Sequence, residues 1–506
     1  MTQPPSHTPP PSLLRNPISW VGLLLTTVST AFGLPLMFLD LFSRERNPYL
    51  GVVIYLILPV TAAVGIMIAL IGVVWERRRR LRDPSRVPAP LPRLDLNRPS
   101  HQAIVLGVFA GSLILIVLLS ITGYQAYHFT ESVQFCGLLC HQVMKPEYTT
   151  YQHSPHARVA CVQCHVGPGA DWFVRSKLSG LYQVYATATN RYPRPIPTPI
   201  KNLRPAQDTC EQCHWPEKFF GAQQRTLTRY LADEANTPWR IQMLLKVGGG
   251  DRQSGAPSGI HWHMNIKNDI SYIASDERRE VIPWVQVTDP EGHVTVYQST
   301  EQPLSKEQLV AMTPRRMDCM DCHNRPAHRY QPPDRAMDAA LESGRVDQKL
   351  PYIKREGMRL VAGEYASEAQ AKETIRRELM AFYEKQYPAV ARKRAAIIEQ
   401  AAVELGRIYA ANLFPEMHAD WRAYPDHLGH LHSDGCFRCH DGLHQSAEGK
   451  VITKDCAACH TILSQGSPEE TASARLEEQP FHHPVDVGMD VTELKCSQCH
   501  NGTSGL

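Results

Sequence analysis

Apolar and polar positions are distributed very unevenly along the chain. Three long apolar stretches lie in the first 130 residues, at about Ile18–Phe42, Leu50–Trp75 and Ala103–Tyr127. Each reaches the roughly 20 residues a helix needs to cross a bilayer. Farther on the pattern is shorter and mixed. "VQVTDPEGHVTVYQ" (Val285–Gln298) alternates apolar and polar residues around a DPEG turn, which predicts a β-hairpin with His293 at its surface. Ser367–Asn412 is rich in Ala, Glu and Arg, has few glycines and is interrupted at Pro388, which predicts two helices. "RYPRPIPTPIKNLRP" (Arg191–Pro205) is too proline-rich for a helix and predicts an extended connector.

Charge orients the apolar segments. The stretch after the second holds Arg77, Arg78, Arg79, Arg80, Arg82, Arg86, Arg93 and Arg98, which predicts that residues 76–101 are cytoplasmic. Arg44 and Arg46 fall on the opposite side but are outnumbered. The N-terminus is then cytoplasmic, and everything beyond the third span lies outside the cytoplasm. The Pro-rich start (Pro4 to Pro11) lacks the charged region of a cleaved signal, so an uncleaved multi-pass anchor in the lipid bilayer is expected. A formal net charge of only +3 gives no case for a nucleic-acid partner.

Cysteine usage supplies the chemistry. All 14 cysteines belong to pairs closely followed by histidine, and none is left for a disulfide. Six pairs read CxxCH: Cys161/Cys164/His165, Cys210/Cys213/His214, Cys319/Cys322/His323, Cys436/Cys439/His440, Cys456/Cys459/His460 and Cys496/Cys499/His500. The seventh, Cys136/Cys140/His141 in "FCGLLCHQVM", has one residue more between its cysteines. Two thioether bonds would fix a haem to each pair, and the adjacent histidine would reach its iron. Zinc is the alternative, but zinc ribbons give no reason for a histidine directly after every second cysteine. Seven covalently bound haems c are expected, on the side of the membrane where c-type haem is attached in bacteria.

With about fifty residues per motif beyond residue 130, the cofactors must form much of the core. Low-spin irons need a second axial ligand. Of 23 histidines, sixteen lie outside the motifs. The best distal candidates stand in short, turn-rich contexts: His156, His261, His263, His328, His430, His444 and His483. His7 and His101 lie on the cytoplasmic side. His128 tops the third span, where an interfacial belt is the competing role.

A membrane anchor followed by "CGLLCHQVMKPEYTTYQHSPHARVACVQCHVGPGADWFVRSKLSGLYQVY" (Cys136–Tyr185) resembles the NapC/NirT family of membrane-bound quinol dehydrogenases. Detailed similarity covers about residues 120–215. "YPDHLGHLHSDGCFRCHDGLH" and "FHHPVDVG" look like segments of larger, seven-haem relatives. Typical members have one anchor helix and four haems, so partners do not transfer one to one. The resemblance implies that the first haem lies at the membrane surface beside the quinol site. It also implies that a methionine following the first motif ligates its iron. Here CxxCHxM has become CxxxCHxxM, ending in Met144. Cys136, Cys140 and Met144 then share one helical face, and His141 is the other candidate ligand. Quinol oxidation releases protons as well as electrons, so titratable groups are needed beside the quinol. Lys177 and Asp171 are the candidates, with Lys145 and Glu131 behind them.

These observations predict a multihaem c-type cytochrome. Its anchor has three transmembrane helices (1–130), and its soluble part is mostly α, haem-cored, with a small β-hairpin insertion. That part divides into a four-haem domain (131–330), a helical spacer (331–415) and a three-haem domain (416–506). The expected activity is oxidation of quinol, menaquinol in particular, from the membrane pool. Electrons would pass to periplasmic cytochromes or reductases, in anaerobic or extracellular respiration. Alternatives are a terminal reductase of nitrite or hydroxylamine, and a noncatalytic electron-storage or docking subunit.

Overall fold

The computed structural model describes residues 12–42, 57–83, 95–139, 141–167, 169–200, 203–248, 259–264, 268–473, 477–491 and 494–503. Side chains are described within these ranges except at 39–42, 104, 108–109, 112–120, 122–123, 126, 141, 170–171 and 217. Two compact units account for the chain, one formed by the described parts of 1–130 with 166–181, the other by 131–165 with 182–503.

In the first unit, α1 (Pro17–Phe42) packs along α2 (Leu58–Arg82). Small residues let the two backbones approach closely: a Cβ at Gly22, Gly65 or Gly72 would collide with Ala69, Thr26 or Ser19 of the facing helix. Ser19 Oγ donates to Ala69 O at 2.9 Å and Asn16 Nδ2 to Gly72 O at 3.2 Å. Lipid offers no hydrophobic drive for helix association, so close contact and interhelical hydrogen bonds hold such pairs. Among the described residues, these are the two helices long and apolar enough to cross a membrane. The third expected span lies in a 32-residue helix, α3 (Pro99–Thr130), most of whose central side chains are outside the described set. The second span also differs from expectation. Its helix continues through Arg82, with Arg80 paired to Glu76 at 3.0 Å and Arg79 over the Trp75 ring at 4.4 Å, so Arg77 to Arg82 are helical.

The second unit contains more β-structure than expected. β1 (Gln223–Tyr230), β2 (Pro238–Leu245) and β8 (His460–Gly466) form an antiparallel three-stranded sheet. A second sheet has the order β6-β3-β4-β5-β7, from Arg315–Arg316, Asp269–Ile273, Trp284–Thr288, Val294–Ser299 and His444–Ser446. The expected hairpin is its β4–β5 pair, in which Trp284 faces Gln298 and Thr288 faces Val294. β7 and β8 come from the last hundred residues yet complete sheets begun between 223 and 316. Strands from the expected four-haem and three-haem segments thus share both sheets within one unit.

Between them runs a helical block: α6 (Pro333–Glu342), α7 (Ile353–Val361), α8 (Glu368–Gln386) and α9 (Pro388–Asn412), following α4 (His141–Gln152) and α5 (Ala170–Ala188). Ser367 caps α8 through Gln370 N, and Pro388 opens α9 at a position where proline fits a helix start. Ile375, Leu379 and Tyr383 on α8 and Ile398 and Leu405 on α9 are completely buried. Spacings of four residues on α8 and seven on α9, about one and two helical turns, put each set on one stripe of its helix.

Candidate haem-binding centres

Five of the six CxxCH motifs form a short helical turn, and the sixth is a hydrogen-bonded turn at the end of the helix Ala206–Cys210, in which His214 N donates to Cys210 O. Opposite every one of the six motif histidines stands a second histidine. The ring centroids are 6.2 Å apart for His165 and His328, and 6.0 Å for His214 and His156. They are 6.2 Å apart for His323 and His261, 5.7 Å for His440 and His263, 6.2 Å for His460 and His430, and 6.0 Å for His500 and His483. Two imidazoles on opposite sides of one metal, each about 2 Å from it, put their ring centres roughly 6 Å apart. The pairs thus have the spacing of two axial ligands sharing an iron.

Ring orientation is fixed from behind. Nδ1 of His156 meets Pro326 O at 3.2 Å, that of His261 Val247 O at 2.9 Å, and that of His263 Ile260 O at 2.7 Å. His328 Nδ1 meets Glu147 O at 2.9 Å, His440 Nδ1 Thr453 O at 2.9 Å, and His483 Nδ1 Val485 O at 2.7 Å. A carbonyl on Nδ1 sets the tautomer and leaves Nε2 as the metal-binding nitrogen. His430 is held differently, stacked on Phe437 at 4.4 Å. Burial lowers the basicity of His165, His261, His263, His323, His430, His460 and His500, keeping these imidazoles neutral as metal ligation requires.

His444 corrects the expectation made for it. Its Nδ1 lies 2.9 Å from Asp441 Oδ1 and its Nε2 2.7 Å from Ile282 O, so neither nitrogen is available to a metal. His293, exposed and paired with Asp289 at 2.9 Å, sits at the hairpin turn.

The extended first motif has its own local structure. Phe135–Leu139 forms a π-helical turn, and α4 begins at His141. A π turn takes up one more residue than an α turn, a winding that suits a motif with one additional residue after Cys136. Gly137 is required there, because any Cβ would strike the Tyr148 ring. Met144 is half-buried on α4. Cys140 and the side chain of His141 lie outside the described residues, as does the side chain of Asp171. Lys177 donates to Thr130 Oγ1 at 3.3 Å and sits 5.0 Å from the centroid of the Phe173 ring. Lys145 is committed to Glu368 at 2.7 Å. His128 packs among Tyr124 and Tyr127, at 4.3 and 5.4 Å.

Consecutive motifs are neighbours in space. A hydrogen bond with Cys136 lowers the Cys161 thiol to about 7 despite burial. A second one, between Cys210 and Cys319, lowers Cys319 and raises Cys210. Cys164 feels Cys213, Cys322 feels Cys436, Cys459 feels Cys436, and Cys496 feels Cys456. The cysteine pairs therefore follow one another through the unit in their order along the chain.

Sequence reasoning overlooked the residues that lock two of these motifs together. Asp321, inside "CMDCH", is buried. Its Oδ1 accepts from Tyr272 at 2.6 Å, Arg279 at 2.8 Å and Arg315 at 3.1 Å. Arg438, inside "CFRCH", is buried too and donates to Gly435 O, Arg279 O and Asp321 O at 2.8, 2.7 and 2.6 Å. A carboxylate and a guanidinium at the variable positions of two motifs were the available signal.

Comparison with known proteins agrees with this arrangement. Residues 98–195 match the profile described as "NapC/NirT cytochrome c family, N-terminal region". The chain is 44% identical over 489 residues to the cytochrome c-type protein ImcH of Geobacter sulfurreducens, covering 96% of this chain and 95% of that protein. It is 32% identical over 110 residues to the cytochrome c-type protein NrfH of Wolinella succinogenes, covering 21% of this chain and 61% of that one. No solved structure gives a significant match. With its paired histidines, its apolar N-terminal helices and a relative of nearly the same length, the chain belongs to the NapC/NirT family of c-type cytochromes, which carry covalently bound haem c.

Proposed function

We propose that the protein is a membrane quinol dehydrogenase that carries electrons from quinol through seven haems c to a soluble acceptor outside the cytoplasm. The observation that carries this reading is the pairing of all six CxxCH histidines with a second histidine at 5.7–6.2 Å. Haem c held between two histidines would take up and release one electron at a time, with no open position for a substrate on the iron. The chain's own part is to hold each Nε2 toward its partner, through the carbonyls behind the rings, and to space the motifs in sequence. Saturated pairs argue against a terminal reductase, which needs one iron with a free face.

Site 1 would then be where quinol delivers its electrons. Met144 and His141 are the candidate ligands there. Lys177 and Asp171 are proposed to hydrogen-bond the quinol and pass its protons to the aqueous side. The haem segments would face the periplasm, and the arginines at the end of α2 the cytoplasm. The similarity to ImcH and NrfH supports the membrane-linked electron-transfer role.

Intact mass should show seven haems above the apoprotein. Under anaerobic conditions a quinol analogue should reduce all seven in the purified protein. Met144→Leu should change the spectrum of one haem and slow quinol-driven reduction of the rest. Lys177→Ala should slow it without spectral change, and dithionite should reduce both variants fully. Failure of the quinol analogue to reduce a protein with all seven haems would end this reading and leave the storage or docking role.

A further inference from the structure

Arg325 follows the motif histidine His323 by two residues and is embedded where a cation needs a partner. Its side chain is only 9% exposed. The guanidinium lies 3.8 Å from the Tyr424 ring centroid and 5.6 Å from that of Tyr330. The nearest carboxylate oxygen, Glu147 Oε1, is 3.6 Å from Nη1, beyond hydrogen-bond reach. Nε and Nη2 are buried and have no hydrogen-bond partner among the described residues. Burying a guanidinium without acceptors is costly, because a charge removed from water must be paired.

The identity of the two free donors narrows the ligand. Nε and Nη2 form the side edge of the guanidinium fork, whose parallel N–H bonds match the two oxygens of a carboxylate. Glu147 reaches this cation only at Nη1: its Oε1 accepts from Tyr330 OH at 3.1 Å, and its Oε2, 3.2 Å from His328 Nδ1, is itself buried without a hydrogen-bond partner among the described residues. Among the described residues no side-chain carboxylate occupies the Nε–Nη2 edge, which leaves it to one from outside the protein's own side chains. His323 and His328, each facing another histidine, flank Arg325 within three residues.

We propose that Arg325 is a carboxylate-binding residue whose Nε–Nη2 edge holds a propionate of one of the two haems at Cys161–His165 and Cys319–His323. This rests on the reading that those motifs carry haem. A propionate neutralised by a buried guanidinium leaves its iron less negatively surrounded, which favours the ferrous state. Arg325 is thus a tuning residue for one haem and is required for its potential rather than its attachment.

The test is potentiometric titration of the full-length holoprotein with electron paramagnetic resonance of the ferric haems, after haems are counted by intact mass. Arg325→Met should move one potential of the seven downward, raising its oxidised-to-reduced ratio about tenfold at fixed potential, about 59 mV for a one-electron couple. Arg325→Lys, which keeps the charge but not the fork, should recover part of the shift. Glu147→Gln, which removes a neighbouring anion, should move the same potential upward. Seven unmoved potentials in Arg325→Met with all haems present would overturn the proposal. So would a wild-type potential that tracks added acetate or phosphate, since the carboxylate would then be a free anion. Should Arg325→Met fail to fold, a structure of the wild-type holoprotein decides: a propionate at about 3 Å from Nε and Nη2 supports the proposal, and one turned away refutes it. A haem count short at Cys161–Cys164 or Cys319–Cys322 would strike the underlying reading instead.

Discussion

The helical block Pro333–Asn412 and the haem-bearing segments on either side of it solve the folding problem in opposite ways. In the block, Met337, Leu350, Ile353, Ile375, Leu379, Tyr383, Ile398 and Leu405 are fully buried against one another, so the chain supplies its own core. Around the motifs, Cys213, Cys456 and Cys499 are exposed, and Trp215 and Phe220 beside His214 are more than half exposed. Those segments present ligands, short turns and apolar side chains that need a large flat cofactor to close over them. The contrast leads to an expectation: the block's stability is written in its side chains, and that of the motif segments depends on a covalent guest.

The strongest way to break this contrast is to withhold the guest. In protein made without haem attachment, hydrogen exchange should leave amides of 368–412 protected while those of 131–330 and 416–503 exchange orders of magnitude faster. Equal protection in both regions would show that the haem segments hold themselves together. Equal loss in both would show that the block does not stand without them.

A core substitution attacks the other side. Leu379→Ala removes a completely buried side chain from α8 and should cost about 2–5 kcal/mol in denaturant unfolding. The haem count should stay at the wild-type value, because the motifs lie elsewhere. Loss of haem without loss of stability would mean that the block serves as a scaffold for attachment rather than as an independent core.

The two regions were also unequally legible. The break between α8 and α9 at Pro388 could be read directly, because proline and the Ser367 cap act locally. The rest of the second sheet could not: β6 has two residues and β7 three, too few for alternation to register, and they pair with chain about 45 and about 150 residues earlier. Nor could separate four-haem and three-haem domains have been excluded, since the crossing strands carry no marker. Distal histidines were approachable because the motifs fix how many partners are needed, but turn-rich context treats His430 and His444 alike. What separates them is tertiary. His430 faces His460, whereas His444 meets a carbonyl 162 positions earlier in the chain.

That difference can be sharpened with single substitutions. On the proposal that His483 is an axial ligand, His483→Ala should convert one haem from six- to five-coordinate, seen as a high-spin signal, with little change in global stability. His444→Gln should leave every haem spectrum unchanged. A high-spin signal from His444→Gln would restore His444 as a ligand.

The smallest effect is expected from pH, and it also concerns His444. Burial alone would lower the basicity of this imidazole, but hydrogen bonds to Asp441 and to the Ile282 carbonyl outweigh burial and raise it, against a small opposing influence from Lys495. Both partners are acceptors, so both ring nitrogens must carry protons and the buried ring is an imidazolium. A group whose pKa is raised on folding stabilises the fold fully below its unfolded value, near 6.5 for histidine, and loses that contribution as pH rises through the folded value. Stability should therefore decline from the mildly acidic side of neutrality upward, by on the order of 1 kcal/mol, the typical worth of one such hydrogen bond. Asp441, lowered by the same contact, remains ionised throughout this window and adds no slope of its own. In His444→Gln the decline should flatten while the haem spectra stay the same across the range. An equally steep decline in that variant would place the pH response elsewhere.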